Sequence, residues 1–182
     1  MSMCWLTASF NYYLISFLLK YFPGNINYNS MLSVVSEILA MILSGLFFVK
    51  FGVRTSFIIT FGISFIGGCA ILIYETKISF FSGESTSLPS WIFPTLVLMA
   101  KFGVTVAFGI CYNSNSALFP VLFSATAMGV CNMLARFCSI FAPQVAEIQS
   151  MLPMIIFTGL SFLTMVLSSF IVVKDQQLKS KN

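Results

Sequence analysis

Apolar residues fall along this chain in six long blocks separated by short polar breaks. A helix that crosses a bilayer needs about 20 mostly apolar residues, and each block has that length. The first runs over 3–21, after which Pro23, Gly24 and Asn25 mark a turn. The second and third run over 30–49 and 55–74. Residues 75–90 are polar, with Ser, Thr, Gly and Pro, and read as the one substantial loop. The fourth block covers 91–116, the fifth covers 119–145 after the break at Pro120, and the sixth covers 152–173. The pattern predicts an all-α, polytopic transmembrane bundle of six spans over residues 1–174, followed by a polar cytoplasmic tail at 175–182.

Composition sharpens this picture. Of 182 residues, 58% are hydrophobic and 8% charged, against roughly 25% charged in an ordinary soluble domain. A soluble fold of this size could not hide so much apolar surface, because its own exterior must be wetted. The net charge of +4 is scattered, without a basic patch interleaved with aromatics, so nucleic acid is not an expected partner. The chain contains no histidine, the commonest general base and metal ligand. Cys4, Cys69, Cys111, Cys131 and Cys138 lie in apolar stretches without zinc-ligand or redox spacing, and read as small buried apolar residues. No metal or cofactor is expected. The apolar run begins close to Met1 without a basic leader or cleavage site, a start that suits a half-protein or a shortened chain.

Charge placement predicts orientation. Lys50 and Arg54 flank the turn between blocks two and three, and Lys174, Lys179 and Lys181 follow block six. With six spans these places share a side; the other side has Lys20 and Lys77. The basic side is expected to be cytosolic, with both termini there. Small residues, Gly62, Gly67 and Gly68 in block three and Ala125 and Gly129 in block five, are expected to let helices approach closely.

Three charged residues fall inside the apolar blocks: Glu37, Lys101 and Arg136. A charge at mid-bilayer costs on the order of 3 kcal/mol even on lenient insertion scales, so such residues face a bundle interior or a wet cavity. Their helical neighbours agree. Gly129, Asn132, Arg136, Ser139 and Pro143 recur at steps of three or four, as do Lys101, Thr105, Phe108 and Tyr112, and Trp5, Ser9, Tyr12 and Ser16. Three helices thus each offer a polar or aromatic face, and a water-accessible central cavity accounts for them. Arg136, Lys101, Tyr112, Asn132, Glu37 and Tyr12 are the candidate solute-binding residues. Structural readings stand beside this one. Lys101 could snorkel from a helix end, Glu37 could serve only to neutralise a cation, and Arg136 could be a structural charge. Trp5 and Trp91, at block ends, read as interfacial belt residues.

Ala100-Lys101-Phe102, then Phe108, Tyr112, Leu118-Phe119-Pro120, Gly129, Arg136 and Ala142-Pro143, resemble the organic cation, carnitine and organic anion transporters of the major facilitator superfamily. Members read approximately G-K-x6-F-x3-Y-x-Y-T-x-E-L-Y-P-T, followed by R-x4-G-x6-R-x-G-x4-P. Trp5 with Tyr12-Tyr13 looks like the start of that family's seventh helix, Gly24-Asn25 and Asn29 fit the turn after it, and Glu37 falls where the eighth commonly carries a glutamate. Gly52-Val53-Arg54 looks like a degraded G-R-R turn. The resemblance covers nearly the whole chain and the second half of the family's twelve helices. Departures cluster at the family's cytoplasmic gate motifs: Val49 stands for an aspartate, Val53 for an arginine, Ala117 for a glutamate, Val121 for a threonine and Ser124 for an arginine.

The resemblance implies one half of a secondary transporter for a small organic solute, in the plasma membrane or an organelle membrane, whose other half is a second chain or a second copy of this one. The position of Arg136 is commonly arginine in the anion and carnitine branches and aspartate in the cation branch. A buried guanidinium suits a carboxylate through paired hydrogen bonds, so a carboxylate-bearing solute is expected. No ATP-binding motif points to a primary pump, and no nucleophile–base pair or metal set points to an intramembrane enzyme. A sugar-porter-like half shares the expected fold. A non-transporting, degenerate membrane protein would fit the lost gate residues, but not the retention of costly intramembrane charges.

Overall fold

The structure, a computed structural model, describes residues 1–21, 26–80, 92–118, 121–148 and 151–170. All regular structure among them is helical. Helix α1 spans Ser2–Leu18 and tightens into a 3-10 turn at Leu19–Tyr21. Helix α2 spans Ile26–Phe80, α3 Ile92–Leu118, α4 Val121–Ser139, α5 Ala142–Ala146 and α6 Leu152–Ser168. Three stretches, Ser33–Thr76, Ile92–Asn115 and Leu122–Ala146, are long and apolar enough to cross a membrane, and Leu152–Ser168 is a shorter apolar helix.

The second and third apolar blocks are one helical run divided at Gly52, whose φ of 73° and ψ of 174° are not helical. Only glycine adopts that conformation without a Cβ penalty. The hydroxyl of Ser56 donates to the carbonyl of Phe47 at 2.8 Å, so one side chain bridges the two limbs across the kink. The helix also runs past the expected loop boundary at Glu75, as far as Phe80. Thr76 turns its hydroxyl back onto the Leu72 and Ile73 carbonyls of the preceding turn, so that its polar group is satisfied within the helix. The fifth block is interrupted at Ile140–Phe141, ahead of Pro143, because proline can start a helix but cannot continue one. The turns at Pro23–Asn25 and Pro120, the expected loop over 81–90, Trp91 and the polar tail lie outside the described residues.

Helix α1 is central and packs directly against α3, α4, α5 and α6, while α2 packs against α3 and α6. Two apolar clusters stack along the bundle. One gathers Trp5, Ala40, Phe57, Phe61, Ile110 and Ala135, and the other Leu14, Ile71, Val97, Ala100, Met154 and Phe157. The outer surface is the inverse of a soluble protein's. Val49, Leu122 and Met133 are 82%, 87% and 77% exposed, and Ile38, Ile42, Phe123, Phe137 and Ile155 are exposed with them. Apolar faces this continuous on α2 and α6 belong in hydrocarbon, whereas the exposed apolar residues of α4 share their helix surface with exposed Arg136. Trp5 is fully buried at the heart of a cluster and is no belt residue.

Two glycines set the approach of α3 to α2. A Cβ at Gly67 would lie 2.9 Å from the backbone of Ala100, and one at Gly103 would lie 2.8 Å from Ser64 N and Thr60 O. Gly68 plays the same part against α6, where a Cβ would meet Thr158 Oγ1 at 2.5 Å. The expectation for Ala125 and Gly129 does not hold: Ala125 is exposed, and a Cβ at Gly129 meets nothing within 4 Å. Gly103→Ala is therefore expected to destabilise the bundle by about 1–3 kcal/mol, since backbone cannot yield as a side chain can. Gly129→Ala, on an open helical face, should be neutral or slightly stabilising. Thermal unfolding of both variants in the same detergent checks the contrast, and equal melting temperatures would refute the close packing.

Candidate functional site

Three of the candidate residues meet where α1, α2 and α3 converge. Lys101 lies mid-way along α3, between residues that pack in the two apolar clusters, and is 3% exposed. Its Nζ sits 2.6 Å from Glu37 Oε1 on the first limb of α2. It also donates to Ser33 Oγ, one turn before Glu37, and stands 5.5 Å from the centre of the Tyr12 ring. The Tyr12 hydroxyl donates to Glu37 Oε2 at 3.0 Å. Lys101 is thus no snorkelling residue: it is paired inside the bundle, and Glu37 is the group that neutralises it. Helix α1 packs directly on α3 but reaches the first limb of α2 through this side-chain link.

Aromatic rings extend from the ion pair along α1 and α3. Tyr12 stacks on Phe108 at 5.9 Å with ring planes 12° apart. Phe108 meets Tyr112 edge-on at 5.2 Å, and Trp5 meets Tyr112 at 4.6 Å and Phe108 at 6.1 Å. The helical spacing of Phe108 and Tyr112, one turn apart, places both on the face of α3 that α1 covers. Buried Trp5 keeps its Nε1 without a hydrogen-bond partner among the described residues.

Arg136 stands apart from the pair. It is exposed on α4 and donates from Nη1 to the Tyr13 hydroxyl at 3.0 Å. Tyr13 meets Tyr12 edge-on at 5.5 Å, so the guanidinium connects to the buried pair through two tyrosines and does not touch it. Asn132, half-buried, lies one turn before Arg136 on α4. Its neighbours Met133 and Phe137 are exposed apolar residues. Two of the three intramembrane charges therefore cancel at contact distance, and the third is left on an open face.

Ser9 and Ser139 lie on the predicted polar stripes, whereas Thr7, Asn11, Ser161, Thr164 and Asn115 of the interior belong to no motif in the sequence. Thr7 accepts from Thr164 at 2.7 Å, Asn11 Nδ2 donates to Ser161 Oγ at 3.0 Å and to the Phe157 carbonyl at 3.2 Å, and Ser9 bonds Ser139 at 2.9 Å. Asn115 ties α3 to α4 by donating to Ser124 O and Oγ at 2.8 and 3.0 Å. Tyr13 is legible in the sequence only as half of the Tyr12-Tyr13 pair; its bond to Arg136 is a fact of packing.

The ion pair makes a direct prediction. Glu37→Gln leaves a buried ammonium without its counter-charge, and should cost about 3–5 kcal/mol of bundle stability. Lys101→Met together with Glu37→Gln removes both charges and should recover most of that loss. Melting temperatures of the single and double variants in detergent measure it; a single variant as stable as the parent would show that the pair is not held as described.

No family model matches the chain. Individual relatives do match over nearly all of it. It is 29% identical over 169 residues to mouse "Solute carrier family 22 member 21", covering 91% of this chain and 28% of the relative. It is 27% identical over 175 residues to human "Organic cation/carnitine transporter 2", covering 93% of this chain and 29% of the relative. A shorter match, 34% over 94 residues, covers half of the chain and 17% of "Solute carrier family 22 member 15" of Xenopus tropicalis. The chain thus spans under a third of the length of the curated relatives it matches along its whole extent. Apolar helices of spanning length, an apolar exterior and these matches lead to one statement: the chain is a multi-pass membrane protein related to the solute carrier family 22 transporters, organic cation/carnitine transporters among them.

Proposed function

We propose that the chain forms one bundle, the C-terminal half, of a secondary transporter for a small organic solute, with a carboxylate group of that solute received by Arg136. The observation that carries the reading is the buried constellation of Glu37, Lys101 and Tyr12, linked through Tyr13 to Arg136 on an open face of a bundle whose exterior is otherwise apolar. Intramembrane charge is costly and marks solute pathways. Relatives named for organic cation/carnitine transport support the solute class.

The length of the kinked helix supports our reading of six crossings. The stretch Ser33–Thr76 has 44 residues, about 66 Å of helix at ~1.5 Å per residue, twice a bilayer core of roughly 30 Å. The kink at Gly52 divides it into two crossings. Helix α1, α3, α4 with α5, and α6 supply the other four. Residues 1–174 form the bundle and 175–182 its cytosolic tail. Labelling of cysteines introduced at Ser82 and Ser180 should then report opposite sides of the membrane, and labelling of both from one side defeats the topology.

The bundle needs a partner. Arg136 is exposed on α4 among Met133, Phe137 and Ile140. Lipid cannot solvate a guanidinium there, so this face turns toward a second bundle and the wet cavity between them, as in transporters that rock two bundles about a midplane site. The partner is a matching N-terminal half or a second copy. The substituted gate positions Val49, Val53, Ala117, Val121 and Ser124 favour the second reading, a membrane protein that keeps the fold without transporting. A sugar-porter-like half has no such observation in its favour.

In a complete transporter built on this half, Arg136→Lys keeps the charge but loses the planar fork, and should weaken uptake of a carboxylate solute. Arg136→Asp should lower its affinity by about tenfold or more, the worth of a contact to a charged group. Arg54→Gln, at the kink between the α2 limbs, should leave solute affinity unchanged. Concentration-dependent uptake separates these outcomes. Unaltered affinity in Arg136→Asp would make Arg136 a structural charge and sink the site.

A further inference from the structure

We propose that the contact between Asn115 and Ser124 is a tie that sets the gap between Arg136 and the Glu37–Lys101 pair, which makes Asn115 a positioning residue for the site. This rests on the reading above, that Arg136 receives the carboxylate of a small organic solute, and extends it: the rest of that solute lies toward Tyr12 and the pair. The two sides of the gap are carried by different helices. Lys101 is on α3 and Arg136 on α4. Helix α1 packs along both, with Tyr12 turned to the pair and Tyr13 to Arg136, whereas α3 and α4 meet over only a short stretch. Helix α1 is thus the spacer that keeps the other two from closing. Phe119 and Pro120 alone separate the end of α3 from the start of α4, so the chain itself keeps those ends together. One joint fixes where two helices meet; a second contact is needed to fix the angle at which they part.

Asn115 supplies that contact. It lies in the last turn of α3 and is 1% exposed. Its amide nitrogen donates to the carbonyl and to the hydroxyl oxygen of Ser124, in the first turn of α4, at 2.8 and 3.0 Å. Both amide hydrogens are spent on one residue, which fixes direction as well as distance. Oδ1 of the same amide is buried without a partner among the described residues. A buried amide with an idle acceptor is unfavourable, and the double bond to α4 accounts for its place there. Ser124 is also one of the substituted gate positions, so the residue that removes a charge from this end supplies an acceptor to the tie. The arms that leave the joint are long. Lys101 is fourteen residues along α3 from Asn115 and Arg136 twelve along α4 from Ser124, about 18–21 Å at the rise of an α-helix. Over that length a turn of roughly 5° at the joint displaces the far end of an arm by roughly 1.7 Å, and a site holds its ligand only within about 0.5 Å of the productive geometry. Slack at Asn115 is therefore enlarged at Arg136.

The test uses the assembled transporter, this chain expressed together with its partner bundle, in phosphatidylcholine liposomes. The probes are trimethylammonio carboxylates with one to four methylenes between ammonium and carboxylate, so that solute length is the variable. Nitroxides at Met99 on α3 and Phe141 just beyond α4, both exposed, are attached through an introduced ketone side chain and report the angle by pulsed electron–electron distance measurement. The parent should give a narrow distance distribution and a preferred solute length. Asn115→Leu, similar in size but without donors, should broaden the distribution and flatten the length preference. It should also raise KM at the preferred length several-fold, toward the about tenfold expected when the contact to Arg136 is lost outright, with the maximal rate little changed. Asn115→Ala should do the same and serves if the leucine variant folds poorly, while Ser124→Ala, which keeps the carbonyl acceptor, should fall between. An unchanged distribution in both Asn115 variants overturns the inference. So does a broadened distribution with the parent's length preference intact, or a parent without any preferred length. If the parent carries none of the series, the solute reading fails and takes this inference with it; uptake by the parent that is lost in Arg136→Asp upholds that reading whatever Asn115 does.

Discussion

One buried ammonium organises the centre of this bundle. Lys101 has no water to retreat to, so α3 can sit in the membrane only where carboxylate and hydroxyl partners reach it. Glu37 and Ser33 come from one face of α2 and Tyr12 comes from α1. Meeting that single need fixes the rotation of three helices about their own axes. The same rotation turns Gly67 and Gly103 into the α2–α3 contact, where a Cβ would collide with backbone. Electrostatic and steric requirements agree here, and agreement between levels is what gives a fold a single answer.

Lipid changes which forces hold the rest. Burying leucine against leucine gains little when the alternative is a hydrocarbon tail, so close packing and hydrogen bonds between helices carry the association. The interior accordingly holds hydroxyl and amide contacts where a soluble protein would hold aliphatic ones. Thr7, Asn11, Ser161, Thr164 and Ser168 are all fully buried or nearly so, and link α1 to α6 through short bonds. Several of these hydroxyls also return a bond to the carbonyl four residues back, as Ser161 does to Phe157 and Ser168 to Thr164. These hydroxyls are thereby satisfied inside the bundle, as a water-free surround demands, whereas Trp5 Nε1 and Asn11 Oδ1 have no partner among the described residues.

Helix positions were legible in the sequence because the bilayer sets one length and one polarity for every span. Helix partners were much less so. The spacing of Lys101, Phe108 and Tyr112 puts them on one face of α3, but periodicity within a helix says nothing about which other helix covers that face. Glu37 was readable as an intramembrane charge and as a possible neutralising partner; that it pairs with Lys101 and not with Arg136 is a fact of packing. Trp5 lies near a segment end, and end position suggests an interfacial tryptophan, yet the ring closes a core cluster. The continuity of α2 through Gly52 was hidden for a different reason: Gly, Lys and Arg mark a break in hydropathy, whereas the helix on either side loses regular geometry at one residue. Ala125 and Gly129 show the limit of small-residue motifs, since their face of α4 meets nothing in this bundle.

What remains unbalanced decides how the site behaves. Glu37 and Lys101 are separated by 2.6 Å, and at that distance their far fields cancel for anything a few ångströms away. Arg136, held by the neutral hydroxyl of Tyr13, keeps its full charge on an open face. A site with three charges therefore presents one to its surroundings. The distinction between a charge that is present and a charge that is available cannot be made from residue types, because it depends on a contact between residues 64 positions apart in the chain. The aromatic rings between the two centres, Tyr12 and Tyr13 in edge contact, supply the physical link: they hold Arg136 away from the pair and leave the guanidinium to whatever lies across the open face.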